Sequence, residues 1–438
     1  MENELSLAIM RLVYQLAALL IAAKLGGEVC VRYLKVPPVL GELVAGIIIG
    51  PFALGGLSAG GWGPLFPRPA AEGSGTAGIP LSRELYAFAQ VASVVLLFVI
   101  GLETNLRQFL RYAGPGSLVA VGGVVLPFAL GAWATVAFGF AASFTDPVAL
   151  FMGAVLTATS VGITARVLDD LGKMDTPEGV TILAAAVIDD VLGILVLTVV
   201  AGVGEGEELE AGHVLWVGAK AVGFWMALMA LGVLLSRPLS RLLEGFRSPG
   251  AAVALALALG LLAAGLAESF GLALIIGAYS IGLGLSQTTL AQHLAEPLKA
   301  VYHALVPVFF AAMGMMVDLP AMGGALAFGL VITLLATVSK VVGAGLPAAA
   351  SGFNVRGVLR VGVGMLPRGE VALIIAGIGL TRGIVDADIF GVAILMTAVT
   401  TLVAPPLLAP LFRHGGSGRR GTRRPEAGPA PGGAESGP

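Results

Sequence analysis

Runs of about 20 apolar residues recur along this 438-residue chain as far as residue 412, cut by short segments that hold most of its charge. A run of that length crosses the hydrocarbon of a bilayer as one helix. Repeated this often, it leaves one fold class open, an all-α polytopic membrane protein. Composition agrees: 57% of the residues are hydrophobic and 12% charged, about half the charged fraction that a soluble domain needs to cover its surface. The formal net charge of -2 argues against a nucleic-acid partner. A single cysteine, Cys30, excludes an internal disulfide and four-cysteine metal sites.

Hydropathy predicts about 13 transmembrane helices, at 6–26, 37–55, 86–103, 114–138, 146–168, 178–202, 213–235, 250–267, 269–286, 297–316, 323–348, 356–380 and 387–412. The first, LSLAIMRLVYQLAALLIAAKLGG, has acids before it and no cleavage site, so it reads as a retained helix and not a signal peptide. With the N-terminus outside, the inner segments carry Lys24, Arg32, Lys35, Arg107, Arg111, Arg166, Lys173, Arg237, Arg241, Arg247, Lys299, Arg356, Arg360 and the tail bases. The outer ones carry only Arg68, Arg83 and Arg382. That asymmetry places the C-terminus in the cytoplasm. The acidic cluster GEGEELEAG at 204–212 then lies outside, as does a long glycine- and proline-rich loop at 56–84. The tail 413–438 is too poor in large apolar residues to fold alone and reads as disordered. No nucleotide-binding regulatory domain is expected, and GGLSAGGWG is in the wrong context for a phosphate loop.

Charges inside the predicted spans are the informative exceptions. The run AAAVIDDVLGILVLTVV at 184–200 carries Asp189 and Asp190. Lys340 lies within LLATVSKVVGAGL, and Arg368 and Glu370 within GMLPRGEVALIIAG. A charge in hydrocarbon is costly and marks a functional candidate. The competing reading is an ion-pair network that only holds helices together, and it weighs most for Arg368 with Glu370. Lys220 and Arg11, nearer span ends, read as structural or snorkelling side chains.

Consecutive helix positions differ by about 100°, so Asp189 and Asp190 cannot share one wall of a cavity. One can pair with a lysine while the other faces a water-filled path and holds either a proton or a small cation. That is the minimum chemistry of exchange. Further oxygens come from LTATSVGITARVL at 156–168, with Thr157, Thr159 and Ser160 beside an expected interruption. MLPRGEVAL at 365–373 has Pro367 and Gly369 in mid-span, where proline removes a backbone donor. If repeats at about 6–202 and 250–412 flank a linker helix at 213–235, the interrupted fifth and twelfth spans correspond. An odd offset of spans inverts the halves, the plan of many secondary transporters.

TATSVGITARVLDDLGKMDTPEG at 157–179 and AAAVIDDVLG at 184–193 resemble the bacterial sodium/proton antiporters of the monovalent cation:proton antiporter superfamily, in particular the NapA-type members. FVIGLETNL at 98–106, MGMMVDL at 313–319, TVSKVVGAG at 337–345 and MLPRGEVAL extend the likeness over roughly residues 5–412. The resemblance implies inverted repeats with crossed, discontinuous helices, a homodimer and a mobile ion-binding core in the bacterial inner membrane. It implies sodium at Asp190, an Asp189–Lys340 pair, supporting oxygens from Thr157, Thr159 and Ser160, and an Arg368–Glu370 pair on the other crossing helix. It also implies electrogenic exchange of two protons per sodium ion, with lithium as a further cargo, no catalytic residues and no cofactor. A potassium/proton antiporter on the same scaffold is the nearest alternative. A cation channel or non-transporting sensor is the alternative of another class. An intramembrane aspartyl protease fits poorly, because its two acids must converge from different helices.

Overall fold

In a bilayer every backbone N–H and C=O must find its partner within the chain. A computed structural model, describing residues 2–58, 63–68, 79–204, 211–246, 248–318, 320–323, 325–413 and 415–420, meets that demand with α-helices. In chain order they are α1 (Glu2–Val29), α2 (Pro38–Ile49), α3 (Arg83–Glu103), α4 (Leu106–Ala137), α5 (Pro147–Thr157), α6 (Val161–Asp170), α7 (Pro177–Gly204) and α8 (Ala211–Glu244). There follow α9 (Ala251–Ser269), α10 (Leu274–Leu285), α11 (Thr289–Met315), α12 (Leu326–Ala350), α13 (Val355–Gly364), α14 (Glu370–Thr381) and α15 (Ala387–Arg413). Among the described residues, 11 helical stretches are long and apolar enough to cross a membrane, one of them α5 and α6 taken together. Leu274–Leu285 and Glu370–Thr381 are shorter apolar helices.

Each predicted span falls on one helix or one pair of half-helices, but the edges differ. Helix α4 begins at Leu106 and not at 114, α11 at Thr289 and not at 297, and α8 runs to Glu244 and not to 235. Hydropathy marks the lipid-embedded part of a helix, whereas hydrogen bonding continues through amphipathic turns beyond it. In α4 the added turns bury Phe109 and Tyr112 and leave Arg107 and Arg111 exposed. Of the outer loop 56–84, residues 59–62 and 69–78 lie outside the described residues, as do 205–210 of the acidic cluster and 421–438 of the tail.

Helices α4 to α7 and α12 to α15 pack on one another as one bundle. Helices α1 to α3 and α9 to α11 form a second, and α8 lies against α10 and α7. The first bundle is tightest where α4 meets α12. A methyl group on Gly122 would meet the carbonyl oxygen of Gly343, and one on Gly343 the carbonyl oxygen of Gly122. Glycine is required at this approach because two backbones touch. Gly343→Val should therefore push α12 from α4 and lower the stability of the purified protein by about 1–3 kcal/mol, the usual cost of overpacking. A thermal unfolding curve in detergent checks it, and an unchanged midpoint would contradict the packing described.

Residues 415–420 extend the first bundle's end. The Asn354 backbone N–H donates to Gly418 O at 2.8 Å, and the Arg420 N–H to Gly352 O at 3.0 Å. Arg360, buried, donates from Nη1 to Glu178 Oε1 at 2.6 Å and to Gly416 O at 2.9 Å. The Arg419 guanidinium lies over the rings of Tyr112 and Phe353. The beginning of the stretch expected to be disordered is thus seated on α4, α7 and α13.

Candidate functional site

Two breaks create the site. Pro147 at the first turn and Asp146 as N-cap, its Oδ1 accepting from the Val148 N–H at 3.0 Å, start α5 cleanly. Helix α5 then stops at Thr157, and Ser160 caps the next start, accepting from the Ile163 N–H at 3.4 Å. Between α13 and α14, Pro367 lacks the N–H that a continuous helix would use, and Gly369 occupies the cap of α14.

The two interruptions face each other. The Ser160 N–H donates to Pro367 O at 2.8 Å, the Thr164 hydroxyl to Gly364 O at 2.9 Å, and the Thr159 hydroxyl reaches Met365 O at 3.5 Å. Arg368 Nη1 donates to Ala158 O at 2.6 Å, and the Thr401 hydroxyl bonds Arg368 O. Each break thereby satisfies part of the backbone that the other leaves open.

Helix α7 brings the two aspartates to this crossing, and both are buried. Lys340 on α12, fully buried, donates from Nζ to Asp189 Oδ1 at 3.0 Å, to Gly123 O at 2.8 Å and to Thr157 O at 2.7 Å. Three acceptors use all three ammonium donors, which is how a buried charge offsets its desolvation. Asp190, one position on, turns elsewhere. Among the described residues its Oδ2 has no hydrogen-bond partner, and neither have Glu370 Oε2 or Arg368 Nε. Asp190 feels the charges of Asp189, Glu370 and Lys340. A neutralised ion pair next to a carboxylate oxygen without a protein donor suits a small cation or a proton, one at a time.

The structure brings together Asp189, Asp190, Lys340, Thr157, Thr159, Ser160, Arg368 and Glu370, with three changes of detail. The expected Arg368–Glu370 ion pair is not formed. Arg368 is spent on Ala158 O, which the break after α5 leaves free, and, at 3.4 Å, on Ala336 O of the continuous helix α12. Thr157 contributes its main-chain carbonyl, since its hydroxyl donates to Ala154 O at 2.7 Å. Ser160 uses its hydroxyl as a cap. Thr164, Thr401 and Gly123 were missed by the sequence reading. Thr164 follows Ser160 at helical spacing and was open to notice, while Gly123 O carries no sequence signal. Among the described residues, no group of three or more His, Cys, Asp and Glu side chains is placed to hold a metal ion, so a cation here depends on carbonyl and hydroxyl oxygens as well as carboxylate.

Comparison with known proteins adds to the geometry. Residues 16–414 match the family model described as sodium/hydrogen exchanger, transmembrane. The chain is 36% identical to the high-affinity Na+/H+ antiporter NhaS3 of Synechocystis, over 94% of this chain and 92% of that one. It is 34% identical to the Na+/H+-K+ antiporter GerN of Bacillus cereus, over 91% and 96%. Its fold resembles that of MjNhaP1, a sodium proton antiporter from Methanocaldococcus jannaschii, with a TM-score of 0.66 at 17% identity, covering 92% of this chain and 97% of that one.

Proposed function

The chain belongs to the transmembrane sodium/hydrogen exchanger family, and from that premise we propose that it is a secondary antiporter moving sodium, and lithium with it, against protons by alternating access. The observation that carries the reading is Asp190. Its buried carboxylate has an oxygen without a protein partner, next to an Asp189–Lys340 bridge and at the crossing of two broken helices. Asp190 releases a proton and takes the cation, assisted by Thr159, Ser160 and backbone oxygens of the unwound segments. Cation binding loosens the Asp189–Lys340 bridge, and the bundle carrying both aspartates moves against the other. The cation leaves and protons return, to Asp190 and to the Asp189–Lys340 unit. Two protons per sodium ion make each cycle electrogenic, so the membrane potential contributes to export.

The base-rich loop ends support a cytoplasmic placing of that side, in a bacterial inner membrane. Helix α1 leaves Leu7, Val13, Ile21 and Leu25 exposed, a surface that suits lipid or, in a homodimer, a second copy. No cofactor or catalytic residue enters the cycle. Potassium is the second reading, favoured by the likeness to a relative named for both sodium and potassium.

Purified protein in liposomes tests the assignment, with internal pH followed on addition of sodium, lithium or potassium, with and without an imposed voltage. Sodium-driven, voltage-sensitive proton movement is expected. A response to potassium alone selects the second reading, and silence towards every cation refutes antiport. Because cation and proton compete for one carboxylate, exchange should be slow in acid and rise towards and above neutral pH. A flat profile would rule out a shared site.

A further inference from the structure

Away from the crossing, the seam between the two bundles holds a second set of buried charged and polar side chains. Arg166 lies on α6, which packs against α2 and α3 of the other bundle. It is buried, its Nε is 3.1 Å from Asp170 Oδ1, and its guanidinium sits over the ring of Tyr302 on α11, 5.0 Å from the centroid. The Tyr302 hydroxyl donates to Asp169 Oδ2 at 2.9 Å. One aromatic side chain of one bundle therefore holds two consecutive turns of charge on the other.

Two atoms here are unexplained by packing. Arg166 Nη1 and Glu42 Oε2 are both buried, and neither has a hydrogen-bond partner among the described residues. Glu42, on α2, is close enough for its charge to act on Arg166, yet no ion pair within 4.0 Å joins them. Leaving both a buried cation and a buried anion short of partners in one place costs stability unless each is satisfied in another arrangement.

The register of α2 against α11 indicates which arrangement. A methyl on Gly46 would meet Ala311 O, and one on Gly50 would meet the backbone at Met315, so the helices run side by side in that alignment. Carried back four residues, it sets Glu42 opposite Pro307, five residues from Tyr302. At 1.5 Å per residue the two lie about 7.5 Å apart along the axis, between one and two helical turns, the scale on which packed elements step between discrete positions.

Resting on the antiport reading, we propose that Tyr302 and Glu42 are two stations for Arg166, and that its step from the Tyr302 ring to the Glu42 carboxylate fixes the two end positions of the moving bundle. Each station is on the stationary side, and the travelling group is a guanidinium, which can both stack on an aromatic ring and pair with a carboxylate.

The test uses spin labels on exposed positions of the two bundles, Ile48→Cys on α2 and Leu118→Cys on α4, in a Cys30→Ser background of the full chain in lipid, with distances read by pulsed electron resonance. Tyr302→Leu removes the ring from under Arg166 and the hydroxyl bond to Asp169, and should shift the ratio of the two distances away from the arrangement described here by at least roughly two- to tenfold, the factor commanded by one hydrogen bond. Glu42→Gln should shift it by a similar factor in the opposite direction. Size-exclusion profiles identify any replacement that misfolds; if Tyr302→Leu does, Tyr302→Phe, which loses the hydroxyl bond alone, should move the ratio in the same direction. If Glu42→Gln alone misfolds, Glu42→Asp should weaken the same station and move the ratio in the same direction. Opposite shifts support the two stations. Shifts of one sign, or a single distance that neither replacement moves, overturn them. The distances are read without added sodium or lithium, so failure of the stations is distinguishable from failure of cation exchange in liposomes.

Discussion

Asp190→Asn is expected to reduce cation-driven proton movement to the level of protein-free liposomes while leaving the protein folded. Asparagine matches aspartate in shape, but its amide neither binds a proton in this pH range nor offers a charged oxygen to a cation. The folding side of the prediction is as specific as the transport side. Asp190 Oδ2 has no partner among the described residues, so the change removes a buried group without orphaning a donor. The unfolding midpoint should stay level or rise. Preserved exchange in this variant would end the assignment. Lost exchange accompanied by a large fall in midpoint would point to Asp190 as a structural residue.

Lys340→Ala is expected to act in the opposite sense, with a large loss of stability. It orphans Asp189 Oδ1, Gly123 O and Thr157 O together, and breaking a buried pair by deleting one partner costs about 3–5 kcal/mol. Asp189→Asn in the same chain should recover part of that loss, because the carboxylate left without its cation is then also removed. The milder Lys340→Gln keeps a donor for the carbonyls, and it should retain exchange but lose the response to imposed voltage. Equal midpoints for wild type and Lys340→Ala would show that the bridge carries no stability. A voltage response surviving in Lys340→Gln would place the second proton elsewhere.

What the sequence made legible followed from contrast. Asp189, Asp190 and Lys340 stand out because hydrocarbon leaves no neutral reason for them, and Pro367 and Gly369 mark a break because a proline cannot complete the helical ladder. The partners of backbone groups stayed out of reach. The carbonyl freed at Ala158, together with that of Ala336 on α12, draws Arg368 away from Glu370, yet a carbonyl is the same at every residue and leaves no trace in the letters. Arg166 was counted with the loop bases because charge normally marks a span's end. In the structure it is buried within α6, where Asp170 and Tyr302 make its burial tolerable. Glu42 escaped notice beside the glycines of a short span, although its burial is as deep as that of Asp189.

The seating of residues 415–420 bears on how this protein can be handled. A fluorescent protein or purification tag joined directly after Arg413 would replace the segment whose Gly416 and Ser417 carbonyls are held by Arg360 and Asn354 and whose Arg419 reaches Tyr112 and Ser351. The same fusion joined beyond Arg420 would leave those bonds in place. Gly418 leaves no room for a linker residue with a side chain, since a methyl there would meet the Glu178 carboxylate and the backbone of Gly357. Reporter signals from the shorter fusion would thus describe a protein whose base had been unfastened, whereas the longer one would report on the native assembly.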